Sequence, residues 1–89
     1  MYTAWIYDAF DAAYQDTGDE ALANYYVADD RSDIGYIQIW IHPRSAASVN
    51  TFRRYAENAK PYGWNIRIRY NGNYYDAEFY IDSVADHVI

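Results

Sequence analysis

At 89 residues the chain makes one domain near the lower size limit for folding without staples, and its 52% hydrophobic and 20% aromatic content, with 12 Tyr and 3 Trp, supplies an efficient core. A net charge of −6 and a sequence pI of about 4.5 argue against nucleic acid or an anionic membrane as the direct partner. There is no cysteine for disulfides or thiolate chemistry, no secretory leader pattern and no apolar run of membrane-spanning length, so the sequence reads as soluble and cytoplasmic.

Charge is distributed unevenly. Residues 1–30 carry Asp8, Asp11, Asp16, Asp19, Glu20, Asp29 and Asp30 without a single Lys or Arg; every basic residue lies between Arg31 and Arg69, and Asp76, Glu78, Asp82 and Asp86 follow. A bipolar molecule with an acidic N-terminal part is expected. The tyrosines exceed what so small a core can hide, which leaves many rings half exposed, as at protein-binding surfaces.

Tyr2, Trp5, Ile6, Ala9, Phe10, Ala13 and Tyr14 recur at steps of three and four, the spacing of one helix face, with a short strand over residues 2–7 as the competing reading. Asp16-Thr17-Gly18 ends that element, and Asp19 is placed to cap a second helix from Glu20 to about Val27. Asp29-Asp30-Arg31-Ser32-Asp33 reads as a loop. Residues 34–42 read as a strand with Ile37, Ile39 and Ile41 on one face and Tyr36, Gln38, Trp40 and His42 on the other. Pro43 stops it, and Ser45 opens a helix to about Lys60 with Val49, Phe52, Ala56 and Ala59 inward. Residues 83–89 read as a last helical turn.

Residues 64–82 predict a hairpin. Asn71-Gly72 is the strongest short signal for a type I′ turn. A two-residue loop sets Arg69 against Tyr74, Ile68 against Tyr75 and Arg67 against Asp76, whereas a three-residue loop would mix the faces. Ile66, Ile68, Tyr75, Ala77, Phe79 and Ile81 then share one face; Arg67, Arg69, Tyr74, Asp76, Glu78, Tyr80 and Asp82 share the other. The fold class expected is α+β: a three-stranded antiparallel sheet (34–42, 65–70, 74–82), with 74–82 central and helices packed on one face.

No residue set announces a chemistry. His42 and His87 stand apart with no metal-ligand spacing around them, and the Asp76-x-Glu78 pair is better explained by a cross-strand ion pair with Arg67 than by a metal-dependent nuclease. No nucleophilic triad and no phosphate-binding glycine loop is present, so catalytic, cofactor and metal residues are expected to be absent and the chain is not read as an enzyme. The aromatic and acidic outer sheet face is the most suggestive surface. Tyr36 and Trp40 beside Tyr74, Asp76, Glu78, Tyr80 and Asp82, with Asp29 and Asp30, match what an Arg- or Lys-lined groove accepts.

In size, acidity, Tyr and Trp load, lack of cysteine and lack of catalytic spacing, the whole chain resembles the small phage- or plasmid-encoded inhibitors of bacterial defence, the anti-CRISPR and DNA-mimic anti-restriction proteins. Those proteins share no motif, so no residue role carries over. The resemblance implies a stoichiometric binder that blocks the basic nucleic-acid groove of a protein such as a CRISPR effector. The alternative is a generic interaction module that pairs an edge strand or aromatic face with a cellular partner or with itself as a homodimer.

Overall fold

The computed structural model describes residues 1–88. Helix α1 (Ala4–Thr17) buries Trp5, Ile6, Ala9, Phe10 and Ala13, so the three-four periodicity is helical and the strand alternative over 2–7 is not taken. Tyr2, at 62% exposure, lies before the helix and outside its buried stripe. Gly18, at φ 69°, closes α1 by donating its N–H to the Tyr14 carbonyl at 2.8 Å, a left-handed cap that glycine adopts without strain.

The second helix is shorter than its sequence suggests. Asp19 caps a single 3-10 turn, Glu20–Leu22, and the chain is extended again as strand β1 (Tyr26–Arg31) where a helix to Val27 and a polar loop over 29–33 were expected. Tertiary stacking decides this. Tyr25 lies on Phe10 at 4.2 Å between ring centroids and near Tyr7 at 6.3 Å, while Tyr26 reaches Trp40 at 5.3 Å on the opposite side. The charged sequence of β1 is tolerated because it is an edge strand, bulged between Val27 and Asp29.

Strand β2 (Tyr36–Ile41) alternates as predicted, with Ile37, Ile39 and Ile41 fully buried. Helix α2 (Ala46–Ala59), entered through Ser45, buries Val49, Phe52 and Ala56 together with Ser48 and Thr51, whereas Ala59, expected inward, is exposed at the final turn. Strands β3 (Trp64–Tyr70) and β4 (Tyr75–Ile81) complete a four-stranded, wholly antiparallel sheet ordered β1-β2-β4-β3. The expected three strands are therefore joined by a fourth, with β4 inside the sheet as its long apolar face requires. Phe10 stacks on Phe52 at 4.0 Å, and Trp5 meets Trp64 and Phe79 edge-on at 5.4 and 5.9 Å, locking the helices onto one sheet face. A 3-10 turn, Asp82–Val84, and a short helix α3 (Ala85–Val88) follow; Ile89, the end of the expected last turn, lies outside the described residues.

The hairpin register differs by two residues from the one its Asn-Gly pair suggests. Tyr70 pairs with Tyr75, Arg69 with Asp76, Ile68 with Ala77 and Arg67 with Glu78. The turn is centred on Gly72-Asn73: Gly72 has φ 92°, and among the described residues no non-glycine has positive φ, which excludes a type I′ turn on Asn71-Gly72. Asn71 is used differently. Its Oδ1 accepts the N–H groups of Asn73 and Tyr74 at 3.0 and 2.9 Å, an Asx turn that draws Asn71 into the pairing zone. A shift of two preserves the alternation, so both faces are populated as predicted. Gly72 still requires positive φ, and Gly72→Val is expected to cost about 1–3 kcal/mol in chemical denaturation. Because a Cβ there would meet nothing within 4 Å, unchanged stability would show that the turn relaxes to a different backbone.

Candidate interaction surface

Helices α1 and α2 lie on one face of the sheet, and the opposite face displays Tyr36, Gln38 and Trp40 from β2, Asp76, Glu78 and Tyr80 from β4, and Asn65, Arg67 and Arg69 from β3. Cross-strand pairing arranges these side chains in rows. In the middle row Glu78 is only 6% exposed, held among the side chains of its cross-strand neighbours. Its Oε2 accepts the Tyr36 hydroxyl at 2.7 Å and its Oε1 accepts the Arg67 Nε–H at 2.9 Å, with Arg67 Nη2 on the same oxygen and Arg69 at 3.8 Å. Burial and the hydrogen bond to Glu78 push the Tyr36 phenol well above its ordinary pKa, keeping it a donor. The partner of Arg67 is thus Glu78, where the Asn-Gly register placed Asp76.

The other carboxylates of this face are also engaged. Asp76 accepts the Gln38 amide at 3.0 and 3.1 Å on its two oxygens, and Asp82, at the foot of β4, accepts the Asn65 amide at 2.8 Å. Tyr80 is 5% exposed, so neither it nor Glu78 offers a partner much area. The polar part of the face is consequently a knot that ties β2, β4 and β3 side by side, a use that residue types alone do not reveal.

One end of the face is aromatic. Trp40 lies between Tyr26, at 5.3 Å, and Tyr74, at 4.9 Å, and His42 extends the row at 5.5 Å from Tyr74. Tyr26 is 60% exposed and comes from the strand that sequence patterning missed, so the row is longer than the predicted Trp40 and Tyr74. The shared row is set by pairing of Tyr26 with Trp40 across β1 and β2.

Asp29 and Asp30 point to different sides. Asp29 pairs with outer-face Gln38 and holds Arg31 at 3.2 Å, whereas Asp30 pairs with core-facing Ile37 and lies at the margin of the helix layer. Burial raises the pKa of Tyr7, and Asp30 beside it acts in the same direction; Tyr25 is raised likewise by burial, by Tyr7 and by Asp11. Asp11 of α1 and Asp30 of the β1 edge thus flank the Tyr7-Tyr25 pair together, whereas Asp16 faces α2 and accepts the Tyr55 hydroxyl at 3.1 Å. Among the described residues the ion pairs are Arg31 with Asp29 and Arg67 and Arg69 with Glu78, so Asp8, Asp11, Asp16, Glu20, Asp30 and Asp33 have no cationic partner.

Geometry defines the molecule as a small α+β domain whose two-helix layer covers one face of an antiparallel sheet. A scan of protein-family models and searches of curated proteins and of solved structures return no match. Among the described residues no helix is long and apolar enough to cross a membrane, and no group of three or more His, Cys, Asp or Glu side chains converges as a metal site.

Proposed function

We propose that the protein is a stoichiometric inhibitor that binds the basic nucleic-acid groove of a bacterial defence effector, in the manner of anti-CRISPR or DNA-mimic proteins. The observation that carries this reading is that, among the described residues, Asp8 and Asp11 on α1 and Asp30 and Asp33 at the β1 edge form no ion pair with a cation of the chain. These groups, rather than Asp76, Glu78 and Asp82, stand in for phosphates. The Tyr26-Trp40-Tyr74 row, on the outer face of the sheet, supplies rigid contact area. This is a reading of binding in the host cytoplasm, not of catalysis.

The test is surface-plasmon kinetics against a panel of purified CRISPR effectors and restriction enzymes at low and high salt. Reversing Asp8, Asp11 and Asp30 to Lys is expected to lower the association rate about 10-fold or more and flatten its salt dependence, because complementary charge acts mainly on encounter. Trp40→Ala or Tyr26→Ala is expected to raise the dissociation rate about 10-fold, the effect of losing a hot spot of about 1.4 kcal/mol. Absence of binding across the panel, or binding indifferent to salt and to the reversals, would defeat the phosphate-mimic reading. Sensitivity to Trp40 alone would favour the generic interaction module, for which the aromatic row is the specific evidence.

A further inference from the structure

The two edges of the sheet are not alike. β1 is bulged and surrounded by carboxylates, whereas β3 keeps unbroken register with β4 over its whole length. Two bonds bracket that ladder: Asp82 N–H to the Gly63 carbonyl at 2.9 Å and Asn71 N–H to the Tyr74 carbonyl at 3.1 Å. Odd-numbered residues therefore bond to β4, and Trp64, Ile66, Ile68 and Tyr70 turn their backbone groups outward. Trp64 is already satisfied, donating to the Pro61 carbonyl at 3.2 Å and accepting from Lys60 Nζ at 3.2 Å. Ile66, Ile68 and Tyr70 make no further bond among the described residues, which leaves an N–H and a C=O open on each.

We infer that this edge receives an extended segment of another protein by strand addition, and that the segment alternates apolar and acidic residues. Side chains set the chemistry. Ile66 and Ile68 are half-buried on the helix side and Tyr70 is 60% exposed, an apolar margin that every second residue of the incoming strand would cover. On the outer side Arg69, with 62% of its side chain exposed and only a 3.8 Å contact to Glu78, offers a cation to the residues between. A second copy of this chain fits poorly. The antiparallel self-pairing that uses all the open groups sets Ile68 on itself and Arg67 against the copy's Arg69, twice over; moving it to set Ile66 against the copy's Ile68 places Arg67 on itself. Like charges directly opposite oppose both registers. This inference concerns the edge farthest from the acidic flank and stands independently of the proposed inhibitor role.

The test is a heteronuclear NMR titration of the labelled full chain with a capped peptide of alternating valine and glutamate, about nine residues long to span the edge at ~3.3 Å per residue. Saturable shifts in the Ile66, Ile68 and Tyr70 amides are expected, abolished when alternate peptide nitrogens are methylated. Arg69→Glu, at an exposed position, is expected to weaken binding 10-fold or more and to recover it for the matching valine-lysine peptide. Shifts elsewhere, none at millimolar peptide, or binding unaffected by N-methylation would overturn the inference. So would a dimer in sedimentation equilibrium that protects these same amides, since the edge would then belong to a second copy.

Discussion

Replacing Asp19 by alanine is expected to cost about 3–5 kcal/mol, measured by urea unfolding, because a buried hydrogen-bonded carboxylate would leave its donors stranded. Asp19 is 3% exposed and joins three segments. Its Oδ1 accepts the Ala21 N–H at 3.1 Å, its Oδ2 accepts the Arg44 N–H at 2.7 Å, and the Ser48 hydroxyl donates to it as well. Thr17 and Arg44 brace the junction, Thr17 Oγ1 accepting the Asp19 N–H at 3.1 Å and Arg44 Nη2 donating to the Thr17 carbonyl at 3.0 Å. Burial alone would raise the Asp19 pKa; these donors and the Arg44 charge outweigh it and hold the group below the ordinary carboxylate value. With the folded pKa depressed, the stabilisation is complete above the unfolded value near ~3.9 and is lost as pH falls through the folded value. Asp19→Asn, which keeps the volume and one acceptor, should lie between wild type and Asp19→Ala at neutral pH and show a shallower acid loss than wild type. Equal stability of the three proteins at pH 7 would mean that the junction does not depend on this carboxylate.

Gly35→Val is expected to cost about 2–5 kcal/mol, combining strain at positive φ with overpacking. Gly35 ends the β1-β2 turn at φ 84°, and its carbonyl accepts the Ile81 N–H at 3.0 Å. A Cβ there would meet Ile81 Cγ1 at 2.6 Å and Cδ1 at 2.7 Å, so both backbone and space demand glycine. The two contributions separate in a cycle of Gly35→Ala with Ile81→Ala: the clash part should vanish in the double variant and the φ part persist. Strictly additive losses would show that Ile81 moves aside freely.

Local patterning made much of this architecture legible. The alternation of Ile37, Ile39 and Ile41 and the Val49-Phe52-Ala56 stripe record burial directly, since each lies on a face opposed to the core. Hairpin faces were readable even though the turn centre was not, because an error of two residues leaves every side chain on its own side. Strand β1 was hidden for a physical reason: it is a bulged edge strand with no buried residue on either side, the core-facing Asp30 included, so no alternation is imposed. The fates of Glu78 and Asp19 were illegible for another, because each depends on donors brought from afar, Tyr36 and Arg67 for one and Arg44 and Ser48 for the other. The Tyr26 contribution to the aromatic row was lost with its strand.

Opposite character at the two sheet edges gives the molecule a built-in compass whose range is set by the solvent. Three inter-strand spacings of ~4.8 Å separate β1 from β3 by about 14 Å. That exceeds a Debye length of ~8 Å at physiological ionic strength but not ~30 Å in dilute buffer. In dilute buffer a positively charged surface feels both ends at once and exerts a torque that turns the molecule acid-first before contact. At physiological salt the ends are sensed separately, and alignment is confined to the last few water layers of the approach.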